Sequence, residues 1–183
     1  MEPSAPKHSC APRLIASRSA AWRNGESLKF FTAEWHTGEL SDEEADRIPI
    51  EYESHIGALR PSLPGDALRL THEITLHDGL IRRVEHRSGV FEMVVRAGDQ
   101  QTGYFDARLL YGGAEIAPPD KAFLESAVGH REVELLYDEF DSGATGSWIH
   151  RILFWPYREV SVQFTAFELR VTAVSGRFSE GAA

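Results

Sequence analysis

A chain of 183 residues, 42% of them hydrophobic, is long enough for one domain with a sizeable core. Its 28 acidic and 19 basic residues give a net charge of -9, which disfavours binding to phosphate backbones, and no run nears the roughly 18 apolar residues of a membrane helix. The single cysteine, Cys10, excludes an internal disulfide and a cysteine-rich zinc site, so a cytoplasmic location is expected.

Residues 1–27 are rich in Ser, Ala, Pro and Arg and show no sustained period, the composition of a disordered tail. Four cations against two carboxylates make this stretch +2, so the remainder carries -11. The same stretch would suit an organelle transit segment, or a translation start near Leu28. A single domain is expected over 28–183.

Ser41 with Glu44 predicts a capping box, and Asp42 and Glu43 suit a first helical turn. Pro49 predicts a stop and a restart. The second helical segment runs to about Leu59, with Tyr52, Ile56 and Leu59 in one apolar stripe. Beyond Gly65 the period reads as 2: Leu68, Leu70, His72, Ile74 and Leu76 share one face of a predicted strand. His72 on that face reads as a hydrogen-bonded core residue. Strands at about 80–87, 90–97 and 103–111 form a predicted meander, joined by Ser88-Gly89 and by the Gly98 to Gly103 turn. A short helix is expected at about 120–128, ended by Gly129. Strands at about 131–140, 147–155 and 159–174 follow. The last changes parity between Val160, Val162, Phe164 and Phe167, Leu169, Val171, which predicts a bulge near 165–167. The expected fold is α+β: short N-terminal helices, then a curved or barrel-like antiparallel meander.

Phe30-Phe31-Thr32-Ala33-Glu34-Trp35, Leu76-His77-Asp78, Leu136-Tyr137-Asp138-Glu139-Phe140, His150-Arg151-Ile152-Leu153-Phe154 and Glu159-Val160-Ser161-Val162 occur in this order. Over residues 28–172 this pattern resembles a bacterial family known only as a domain of unknown function. The resemblance implies a bacterial, soluble protein with no assigned reaction, and supplies no catalytic residues.

The densest potential chemistry lies at His72, Glu73, His77 and Asp78. The two histidines are five apart, whereas a helical zinc-protease motif needs four. His77 and Asp78 remain candidate catalytic residues, and with His150 they are candidate metal ligands, two imidazoles and a carboxylate suiting zinc or iron. Against this, Asp78-Gly79 is turn chemistry, in which Asp78 bonds its own backbone. No cofactor-binding fingerprint is present, and no cofactor is expected.

Tyr137, Asp138, Glu139 and Asp141 read either as a solvated acidic strand end or as a patch for a basic partner. Trp35, Trp148 and Trp155 are either interface anchors or core rings. The candidate binding set is therefore Tyr137, Asp138, Glu139, Trp148 and Trp155. Three functions are open: a non-enzymatic, immunity-like protein-binding module; a metal-assisted hydrolase built on His77, Asp78 and His150; and a small-molecule binder on the curved sheet.

Overall fold

The computed structural model describes residues 27–144 and 146–179. The tail reading of 1–27 falls almost wholly outside the described residues, as do Cys10 and Thr145. The chain forms α1 (Ala33–His36), α2 (Asp42–Leu59), α3 (Gly65–Glu73), β1 (Gly79–Arg87), β2 (Val90–Asp99), β3 (Gly103–Gly112), β4 (Glu115–Ile116), α4 (Pro118–Ala127), β5 (Glu134–Ser142), β6 (Trp148–Phe154), β7 (Arg158–Phe164) and β8 (Ala166–Val174). This is the expected α+β architecture with a meander sheet.

The capping box is present at α2. Ser41 Oγ accepts from the Glu44 amide, and the Glu44 carboxylate accepts from the Ser41 amide at 3.1 Å. Pro49, however, does not divide the helix, which runs unbroken from Asp42 to Leu59. Proline lacks the N–H that would reach the carbonyl four residues back. That carbonyl belongs to Ala45, and the indole Nε1–H of Trp35 donates to it at 3.1 Å. The helix survives its proline because another element supplies the missing donor. Tyr52, Ile56 and Leu59 face the core as the stripe requires.

The strand expected over 68–76 is a correction: Gly65–Glu73 is helical. Leu70 and Ile74 fit either period, but Leu63, Ala67, Leu70 and Ile74 pack on the core at spacings of four, three and four. His72 therefore lies exposed on α3, not in the core, and its ring meets the Arg60 guanidinium at 3.0 Å.

All strand pairs are antiparallel, in the order β4-β7-β6-β5-β1-β2-β3-β8. Two meanders, β1-β2-β3 and β5-β6-β7, are joined as strands, among the described residues, through Gly79–Leu135 and Leu80–Glu134. Ser88 and Gly89 both take positive φ, as a two-residue hairpin turn demands. The bulge expected near 165–167 is in fact a change of partner. β7 pairs with β6 and β4 near one end of the sheet, and β8 pairs with β3 at the other. Because only Thr165 separates the two strands, the sheet must curl until its ends approach. Thr165 bonds the Gly112 carbonyl through its amide at 2.9 Å. Gly113 beside it has φ +62, and a Cβ there would lie 2.5 Å from Thr165 Oγ1. The sheet is curved but not closed into a barrel.

Helices α2, α3 and α4 fill the concave side against Phe91, Met93, Leu109, Phe140, Ile152 and Phe164, all buried. From Leu136 onward β5 has, among the described residues, no strand neighbour on the β1 side. There α2 takes the place of a strand. Tyr52 Oη accepts from the Phe140 amide at 3.1 Å, and His55 Nε2 bonds the Phe140 carbonyl at 3.2 Å. Two helix side chains thereby satisfy backbone groups that would otherwise be orphaned.

Candidate functional site

Strand β5 carries chemistry on both faces. A register shift at Leu136 sets the alternation that follows. Glu139 and Asp141 point to the outer face, and Asp138 and Phe140 to the core face. On the outer face Glu139 is only 1% exposed, which corrects the reading of a solvated acidic strand end. Its carboxylate accepts from the backbone amides of Lys29 and Phe30 at 2.7 and 2.9 Å. Asp141, also buried, is bonded by Arg151 Nη1 at 3.0 Å and by Lys29 Nζ. Glu159 on β7 accepts from the Leu28 amide at 3.1 Å. The acidic cluster thus fastens the chain's own segment 28–31 across β5, β6 and β7.

These carboxyls respond differently to burial. For Asp141 burial opposes ionisation, but the hydrogen bonds from Lys29 and Arg151 outweigh it and hold the carboxyl below its ordinary range. For Glu159 burial dominates, reinforced by the charges of Glu34 and Glu139. The single amide from Leu28 and a bond from Ser27 do not offset it, so the carboxyl is pushed up.

On the core face His150 is fully buried, stacked on Phe140 with ring centroids 4.2 Å apart and planes 6° from parallel. Its Nδ1 lies 2.7 Å from Tyr111 Oη, and its Nε2 lies 2.9 Å from Asp138 Oδ2. The carboxylate can only accept, so Nε2 carries a proton, and the Tyr111 hydroxyl is the partner of Nδ1. Burial, with the Asp138 charge adding to it, pushes the Tyr111 phenol well up, which keeps its proton on oxygen. Both nitrogens of His150 are therefore occupied.

Asp138 differs from its neighbours. Its side chain is 19% exposed and lines a cleft of about 350 Å³ between α2, α3 and β5. Phe31, Tyr52, His77 and Tyr137 supply rings to this cleft, and Thr71 and Thr75 supply hydroxyls. Phe31 meets Tyr52 edge to face at 4.9 Å and stacks on Tyr137 at 5.7 Å. The His77 ring meets Tyr137 at 5.2 Å. Burial, helped by the Asp78 charge, raises the Tyr137 phenol. The fastened segment 28–31 thus contributes Phe31 to the wall of the cleft.

The candidate ligands His77, Asp78 and His150 are not brought together as one site. His77 Nδ1 lies 3.0 Å from Asp78 Oδ1 on the turn before β1, where Asp78 takes φ 59; His77 is partly buried and Asp78 exposed. Among the described residues no group of three His, Cys, Asp or Glu side chains is placed to hold a metal ion. Of the candidate binding set, Tyr137 and Asp138 line the cleft. Glu139 holds the N-terminal segment. Trp148 packs partly buried against the core, and Trp155 stands 43% exposed beside Tyr157. Trp35 packs on Phe31 and Tyr137. Sequence reasoning missed Phe31, Tyr52, Thr71 and Tyr111 as site residues. Tyr52 carried a signal, being the only residue of the α2 stripe with a polar tip.

Comparison of the chain with family models, with curated proteins and with solved structures found no match. No helix among the described residues is long and apolar enough to cross a membrane.

Proposed function

We propose that this protein binds a small molecule in the cleft between α2, α3 and β5. The observation that carries the reading is the partly open carboxylate of Asp138 at an aromatic-walled recess, with its other contact anchored on buried His150. Ligand sites are concave, mostly apolar and few, with a small number of fixed polar groups, and the volume of about 350 Å³ suits a small ligand. The Tyr111–His150–Asp138 chain supports it further, because a carboxylate held from behind keeps its geometry without filling the recess. The test is a fragment screen by NMR on the wild type and on Thr75→Trp, whose indole would occupy the cleft. Hits that shift cleft resonances and vanish in the variant support the reading; a screen with no cleft hit overturns it.

A second reading, an immunity-like module for a partner protein, draws on the exposed pair Trp155 and Tyr157, whose rings meet at 4.8 Å on the turn between β6 and β7. It expects one stoichiometric protein captured by the wild type and lost with Trp155→Ala.

A further inference from the structure

We propose that the cleft ligand is an organic cation, an alkylammonium group seated against the aromatic walls with Asp138 as its counter-ion; the proposal rests on the small-molecule reading of the cleft. Every other carboxylate of β5 has a permanent cation: Glu134 has Arg177, Glu139 has Arg151, and Asp141 has Arg151 and Lys29. Among the described residues no lysine or arginine lies within ion-pair distance of Asp138, whose one such partner is His150. His150 gives the carboxylate a hydrogen bond through Nε2 from behind and leaves its other side open to the cleft.

A partly buried carboxylate with no lysine or arginine partner is costly to keep. Here it opens onto Phe31, Tyr52 and Tyr137, rings whose negative faces attract a cation. The field around Asp138 is already negative enough to raise the Tyr52 phenol after burial has done so. An inorganic cation fits less well. A hard ion such as calcium takes six or more oxygen ligands, whereas this recess offers one carboxylate and a few hydroxyls among apolar walls. An alkylammonium needs one opposite charge and apolar contact for its methyl groups.

The test uses the full chain and compares choline with 3,3-dimethylbutan-1-ol, its neutral isostere, by titration calorimetry with cleft resonances followed by NMR. Choline is expected to bind at least about tenfold more tightly than the isostere. Asp138→Asn and, separately, Tyr137→Leu should each remove most of that difference, while Trp155→Ala leaves it unchanged. Tyr137→Leu keeps the test decisive should Asp138→Asn disturb His150. Equal binding of the two probes, or choline binding indifferent to both cleft variants, overturns the proposal. If neither probe binds but the fragment screen places a neutral or anionic ligand in the cleft, the cation fails and the cleft stands; if the screen also finds nothing there, both fall.

Discussion

The indole N–H of Trp35 donates to the carbonyl of Ala45, the group that Pro49 leaves without its helical partner. This couples α1 to the first turn of α2. Trp35→Phe is expected to cost about 1 to 2 kcal/mol, since it leaves a partly buried acceptor unpaired. In a Pro49→Ala background the alanine amide can take that role, so the same change should cost about 1 kcal/mol less. Urea denaturation of the four-protein cycle measures the coupling; strict additivity would show that the indole bond does not compensate for the proline.

Removing the Tyr111 hydroxyl strips the buried Nδ1 of His150 of its hydrogen-bond partner. Tyr111→Phe should destabilise by about 1 to 3 kcal/mol. Following it with His150→Phe should cost less than that second change does alone, because the orphaned nitrogen is then gone. Equilibrium unfolding at neutral pH checks both.

Asp141 ties Lys29 and Arg151 together, and its carboxyl is held below its ordinary range. A depressed folded-state pKa means stability that is fully present above the unfolded value of about 3.9 and is lost as pH falls through the lower folded value. Asp141→Asn is expected to cost about 2 kcal/mol at pH 7, by leaving buried Arg151 with Glu139 but without Asp141 and by taking a partner from half-exposed Lys29. The penalty should shrink as pH falls through and below the acidic range. Thermal unfolding across pH 3 to 8 would read this.

Glu159 has the opposite sign. Its pKa is raised in the fold, so the ionised form opposes folding above about pH 4.3 and the protonated form does not. Glu159→Gln keeps an acceptor for the Leu28 amide and removes the charge. It should stabilise at pH 7 by under about 1 kcal/mol, allowing for partial exposure, and be neutral near pH 3. A loss of stability at pH 7 would contradict the burial argument.

Local features were legible in the amino-acid order. The Ser41–Glu44 cap, the Ser88-Gly89 turn and the β1-β2-β3 meander all rest on neighbours in the chain. The α3 helix was misread because Leu68, Leu70, Ile74 and Leu76 satisfy a period of 2, and only the small buried Ala67 betrays the helix. The parity change after Phe164 was visible, but its cause, a second partner strand, depends on a long-range closure that no local pattern encodes. The roles of the β5 acids were hidden for a different reason. Glu139 meets backbone amides some 110 residues earlier, and amides leave no signature in the residue types that carry them. Asp138 and His150 were both singled out, yet not as partners, because the Phe140–His150 register that joins them is a tertiary fact.

The two side chains of α2 that occupy the Phe140 amide and carbonyl also act as a guard. Were α2 to swing away, β5 from Leu136 onward would offer a bare row of backbone N–H and C=O groups to any neighbouring molecule, the kind of template on which sheets grow from one chain into the next. Tyr52 and His55 thus protect the protein from its own copies as much as they stabilise it, and conditions that loosen α2 should first appear as polymerisation.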